Sequence, residues 1–202
     1  MGRDRCVHNL GIFGGTFDPV HIGHLILAEM AREQFNLSKI FFVPAGLSPF
    51  KKTTVATGEQ RLRMIKLAIS SHPNFKVSDF ELKLPRPSYT YDTVCHFRHL
   101  FPQSRLFFLL GEDAFKDLPG WHRVQELCEL VTFLVAMRST DSVVPPGGVN
   151  LRFRVLNSPF VDISSSLIRE RCRKEKSIRY LVPERVARYI EKEQLYGLEK
   201  CL

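Results

Sequence analysis

Two histidines three residues apart, His21 and His24, close the segment Gly14-Gly-Thr-Phe-Asp-Pro-Val-His-Ile-Gly-His24. An apolar run precedes the glycine pair, and a helical pattern follows it. Glycines at such a corner permit positive φ and let the backbone approach a ligand closely. The helix that follows directs its free N–H groups and positive dipole end at the same point, which favours phosphate. At i and i+3 the two imidazoles share a helix face and can donate to phosphate oxygens. A metal pair is the competing chemistry. Zinc usually takes a third protein ligand, and no Glu or Cys stands at a suitable local spacing. The segment is neither GxGxxG nor a P-loop, whose GK[ST] ending is absent.

A second segment, Asp162-Ile-Ser-Ser-Ser-Leu-Ile-Arg169, has the same physical character. Ser164 can cap a helix, while Ser165 and Ser166 add hydroxyls and N–H groups at its positive end. Arg169, one turn on, can form a fork with phosphate. By itself a Ser-Ser-Ser run is more simply a well-capped surface helix. Lys51 follows Pro49-Phe50 in a loop and can neutralise charge between phosphates, a role Lys52 can share; a plain surface lysine is the alternative.

These groups need a frame. Strand-like apolar runs fall at 6–13, 40–43, 75–77, 106–110, 131–136 and 153–156, with a further short one at 81–84. Helical spacing covers 21–36, 59–70, 91–100, 122–130, 164–174 and 183–193. Strands alternating with helices, the strands nearly continuously apolar, predict a parallel sheet covered on both faces. The fold class is therefore α/β, a Rossmann-like doubly wound sheet. The chain reads as one domain over 1–202, with a small helical C-terminal subdomain from about 160. Ligands of such folds bind outside the carboxyl ends of the strands. Gly14, Lys51, Gly111 and Arg138 all fall at or soon after strand ends.

Composition is ordinary for a globular protein, with 44% hydrophobic and 25% charged residues, so disorder is excluded for most of the chain. Net charge is 29 − 21 = +8, which suits anionic partners. The densest basic group, 169–179, is largely explained by a solvated helix face. Five cysteines with no CxxC fit reduced thiols better than a disulfide framework. The N-terminus lacks the apolar core of a signal peptide, and the longest apolar runs are strand-sized. A soluble cytoplasmic protein without membrane contact is expected.

The run GGTFDPVHIGH resembles the signature of the HxGH nucleotidyltransferases, and the ISSSxxR segment is similar to theirs. Ser88-Tyr-Thr-Tyr-Asp-Thr93, Leu118-Pro-Gly-Trp121 and Ile178 to Ile190 are similar to the SYTxDT, LPxW and YLVPxxVxxYI segments of bacterial nicotinate-nucleotide adenylyltransferases. The resemblance spans nearly the whole chain. It implies transfer of AMP from ATP to nicotinate mononucleotide, with pyrophosphate leaving and no covalent enzyme intermediate. It implies catalytic roles for His21, His24, Lys51 and Arg169. Gly14, Gly15, Thr16, Phe17, His21, His24, Gly111, Asp113, Ile163, Ser164, Ser165, Ser166 and Arg169 would meet ATP. Asp18, Lys51, Thr90, Trp121 and Arg138 would meet the mononucleotide, Trp121 stacking on the pyridine ring. Mg2+ would ride mainly on the ATP phosphates, with no protein metal site. A homo-oligomer stays open.

Three positions depart from the family pattern. Phe50 stands where His usually precedes the loop lysine, Glu112 where a small residue is common, and Arg138-Ser-Thr where RPG is common. Nicotinamide mononucleotide and phosphopantetheine are the alternative acceptors; phosphopantetheine enzymes lack the SYTxDT and LPxW segments. A basic nucleic-acid-binding protein explains the charge but not the organisation around His21 and His24, and no nucleic-acid-binding signature is present.

Overall fold

A computed structural model describes residues 8–46, 54–85, 87–137, 145–159 and 161–197. Six strands form one all-parallel sheet: β1 (Asn9–Gly15), β2 (Lys39–Pro44), β3 (Phe75–Val77), β4 (Arg105–Gly111), β5 (Val131–Ala136) and β6 (Phe153–Leu156). Their spatial order is β3-β2-β1-β4-β5-β6. The chain winds outward from β1 to β3, returns to β4 beside β1, and winds outward again. The carboxyl ends of β1 and β4 therefore border the switch point, where a crevice opens.

Among the described residues, seven α-helices accompany the sheet: α1 (Ile22–Gln34), α2 (Gly58–Ala68), α3 (Thr90–Leu100), α4 (Glu112–Lys116), α5 (Val124–Leu130), α6 (Ser165–Arg173) and α7 (Glu184–Lys192). Strand side chains alternate between two apolar layers. Phe13 joins Ala28, Met64, Ile168, Val186 and Ile190 on one face. Leu10 and Ile12 join Val94, Phe97, Phe115 and Leu127 on the other. Each fully buried Phe or Ile side chain contributes about 1.5–3 kcal/mol. The C-terminal helices α6 and α7 thus add to the same apolar layer as α1 and α2.

Two expectations are corrected. Glu81–Lys83 is a 3-10 turn, not a strand. The segment Glu-Leu-Lys-Leu alternates as a strand would, but Glu81 is the buried residue there. Helix α4 was not foreseen, since its five residues are too few for a period to register. Lys51, Phe50, Lys52 and Arg138 lie outside the described residues. Cys95, Cys128 and Cys172 are free thiols. Among the described residues, no helix is long and apolar enough to cross a membrane.

Candidate active site

The glycine pair forms the last two residues of β1 and pairs with Val43 and Pro44. Neither glycine has a positive φ; the residue after them that does is Phe17, at 49°. The glycines serve clearance instead. A Cβ on Gly14 would lie 3.1 Å from Phe108 Cζ, and one on Gly15 3.0 Å from Phe17 Cζ. Phe17 is 2% exposed. Its ring meets Phe13 edge-on at 5.4 Å and His24 at 4.9 Å. Burial of that ring offsets the 1–3 kcal/mol order of cost of a left-handed non-glycine residue.

The loop from Thr16 to Pro19 is pinned from three sides. The Thr16 carbonyl accepts from Arg61 Nη1 at 2.9 Å. The Asp18 carbonyl accepts from Arg169 Nη1 at 2.7 Å, and the Pro19 carbonyl from Ser165 Oγ at 2.9 Å. The peptide bond between Asp18 and Pro19 is cis. The Asp18 carboxylate is occupied within the protein: Oδ2 accepts from Val55 N at 2.8 Å, and Oδ1 from Ala56 N at 3.1 Å and Tyr196 O–H at 2.7 Å.

His21 is the N-cap of α1 and His24 its third residue. The His21 backbone N–H donates to His24 Nδ1 at 3.2 Å. The His24 amide donates to the His21 carbonyl at 3.0 Å. The two rings stack with centroids 3.6 Å apart. Because His24 Nδ1 accepts, the neutral tautomer is assigned with its proton on Nε2, leaving that nitrogen as a donor. Burial lowers the His21 pKa to about 4. It lowers that of His24 well below the usual range, the charge on His21 adding to the effect. Both rings are thus neutral donors near pH 7. Gly23 permits the stack, since a Cβ there would lie 3.2 Å from His21 Nδ1.

The second wall comes from α6. Ser164 caps it, its hydroxyl accepting from Leu167 N at 3.1 Å. Arg169 Nη2 also donates to Ser166 Oγ at 3.1 Å, which holds the guanidinium across the helix start. Between the starts of α1 and α6 lies an open cavity of about 660 Å³. Thr16, Asp18, His21, His24, Gly111, Ile163, Ser164, Ser165, Ser166 and Arg169 line it. Gly14, Gly15 and Phe17 do not line it. Gly111 is exposed, with nothing within 4 Å of the place a Cβ would take, and Asp113 is exposed in the first turn of α4.

Thr90 and Trp121 are outside the walls of this cavity. Thr90 opens α3. Trp121 packs against the apolar layer of the other face, its ring edge-on to Phe108 at 6.1 Å. Phe108 is also the ring that abuts Gly14, so Trp121 is one ring removed from the glycine corner.

Three residues escaped the sequence reading. Glu81 and Arg61 are buried, and Tyr196 joins Asp18 across 178 positions. Burial lowers the Arg61 pKa while the charges of Asp18, Tyr196 and Glu81 raise it. A signal for Arg61 was present: it stands three and four residues before the buried Met64 and Ile65, on the apolar stripe of α2.

A family model described as cytidylyltransferase-like matches residues 12–171. The protein named probable nicotinate-nucleotide adenylyltransferase of Oceanobacillus iheyensis is 41% identical over 191 residues, covering 95% of this chain and 98% of that protein. Its namesake from Geobacillus kaustophilus is 46% identical over 189 residues, covering 93% and 86%. Among solved structures, Plasmodium falciparum nicotinic acid mononucleotide adenylyltransferase complexed with NaAD superposes with a TM-score of 0.76. It covers 94% of this chain and 97% of its own, at 22% identity, a likeness of fold.

Proposed function

This chain belongs to the nicotinate-nucleotide adenylyltransferases within the cytidylyltransferase-like family, and from that membership we propose that it transfers AMP from ATP to nicotinate mononucleotide. The products are deamido-NAD and pyrophosphate. One observation carries the site assignment: two helix N-termini, those of α1 and α6, open on one cavity furnished with hydrogen-bond donors. His21, His24, Ser164, Ser165, Ser166 and Arg169 suit the oxygens of a triphosphate.

An acceptor phosphate oxygen attacks the α-phosphorus in line. The bond from that phosphorus to the bridging oxygen breaks, and pyrophosphate departs. No group of the chain is covalently modified. Catalysis is positioning and charge stabilisation. His24 Nε2–H donates to charge that grows as the leaving group separates, and a neutral imidazole does so without repelling Arg169. Gly111 and Asp113 meet the adenosine. Among the described residues no three His, Cys, Asp or Glu side chains converge as metal ligands. The donor-rich cavity fits phosphate oxygens: His21, His24, Ser164, Ser165, Ser166 and Arg169 would hold the phosphates of a nucleotide that carries Mg2+, and the ion would supply neutralisation of phosphate charge.

On the acceptor side, Trp121 offers a flat surface to the pyridine ring and Thr90 a hydroxyl to its carboxylate. Lys51 and Arg138 are assigned to the mononucleotide phosphate by resemblance. Asp18 serves the same side through the chain it holds, since Val55 and Ala56 follow the segment that carries Lys51.

The test supplies ATP and Mg2+ with nicotinate mononucleotide, nicotinamide mononucleotide or phosphopantetheine in turn, and measures pyrophosphate release. Release is fastest with the nicotinate form. Turnover with phosphopantetheine alone contradicts the assignment.

A further inference from the structure

Glu81 is a buried carboxylate with no part in the chemistry above. It is 9% exposed and sits in the 3-10 turn after β3. Its Oε2 accepts from Ser88 Oγ at 2.6 Å, and its Oε1 from Thr93 Oγ1 at 2.7 Å. Both hydroxyls are buried, Thr93 completely. Ser88 and Thr93 bracket Thr90, one on the approach to α3 and the other within its first turn. A single carboxylate thus grips the Thr90 segment at both ends. The α3 N-cap, Tyr89, makes no side-chain capping bond, so the carboxylate supplies the fixation that a cap would otherwise provide.

The backbone of Glu81 holds a second segment. A Cβ on Gly46 would lie 2.2 Å from the Glu81 carbonyl oxygen and 3.5 Å from Ser88 Oγ. Gly46 ends the described exit from β2, and the segment carrying Lys51 follows it. The turn at Glu81 therefore touches the Thr90 segment and the last described residue before the stretch that carries Lys51. Glu81 does not line the α1–α6 cavity that holds the ATP residues; its charge acts on Arg61, which donates to the Thr16 carbonyl at the edge of that cavity.

We propose that Glu81 is a positioning residue for the acceptor: through Ser88 and Thr93 it sets Thr90 for the mononucleotide, and its two direct hydrogen bonds act on the acceptor side far more than on ATP. This rests on the reading of Thr90 as an acceptor residue. Buried hydroxyl–carboxylate bonds are short and strong, and a partner left unpaired is costly. Their loss loosens the Thr90 segment before it loosens the core.

The test compares Glu81→Gln with the parent protein in steady-state kinetics, varying each substrate separately, with melting temperature recorded alongside. The KM for nicotinate mononucleotide rises about tenfold, the effect of one lost charge-assisted hydrogen bond, while the KM for ATP stays within about twofold. A merely structural role would instead lower the melting temperature and shift both constants together, or neither; either pattern overturns the proposal. If Glu81→Gln does not fold, Ser88→Ala and Thr93→Ser decide: the first raises the acceptor KM, and the second, which keeps the hydroxyl, does not. An unchanged acceptor KM in Ser88→Ala overturns the proposal. Thr90→Ala separates the levels. If it raises the acceptor KM while Glu81→Gln does not, the clamp alone is wrong. If Thr90→Ala has no effect, the acceptor reading of that segment falls, and the clamp with it.

Discussion

The backbone N–H of His21 donates to Nδ1 of His24 across 3.2 Å, and the two rings stack 3.6 Å apart. One hydrogen bond thereby fixes which nitrogen of His24 carries the proton. The donor is set before any substrate arrives, and it needs no reorganisation during the reaction.

His24→Ala removes that donor. Turnover falls at least about 100-fold, as for loss of a transition-state hydrogen-bond donor. The KM for ATP changes far less. Steady-state kinetics checks this, and an unchanged turnover number contradicts the role.

Gly23→Ala separates stability from activity. In a helix Ala is favoured over Gly by about 1 kcal/mol. The new Cβ, however, lies 3.2 Å from His21 Nδ1 and forces the ring to shift by a few tenths of an ångström. The melting temperature is therefore held or raised while turnover falls roughly tenfold, because the stacked pair loses its geometry. Parallel melting and kinetic curves show this. Full activity contradicts it.

Acid should destabilise the fold through the histidines. The His21 pKa is about 4 in the folded chain against an ordinary value of 6.5. Below 6.5 the unfolded chain binds a proton that the folded chain refuses until about pH 4. The contribution is complete above 6.5 and is lost as pH falls through that window, amounting to roughly 3 kcal/mol. Denaturant titrations of the parent and His21→Gln between pH 7 and pH 4 test it. The parent loses more stability on acidification than the variant does; equal losses contradict the assignment.

Gly46→Ala destabilises the fold by roughly 2 kcal/mol or more, because the contact at 2.2 Å is with a backbone carbonyl that cannot move aside. Thermal melting reads this directly. Gly111→Ala, with open space at its Cβ position, serves as the neutral comparison for stability.

What the sequence made legible was local. HIGH and ISSSLIR are contiguous at helix starts, so dipole, capping and hydroxyl chemistry could be read from neighbours in the chain. The sheet was legible because β4 and β5 are nearly continuous apolar runs. The supports were not. Arg61 meets Thr16 across 45 residues and Tyr196 meets Asp18 across 178. No periodicity encodes such pairs. Glu81 was hidden further, since the alternation around it imitates a strand. The glycine pair was read for backbone freedom, whereas Phe108 and Phe17, from strand and loop, decide its need for clearance.

The central claim is transfer of AMP to nicotinate mononucleotide. The direct measurement supplies ATP labelled at the α-phosphorus, Mg2+ and nicotinate mononucleotide, then separates nucleotides and protein. Label is expected in deamido-NAD, with unlabelled pyrophosphate in equal amount and none of the label on the protein. Label retained in ATP, or bound covalently to the chain, would contradict the claim.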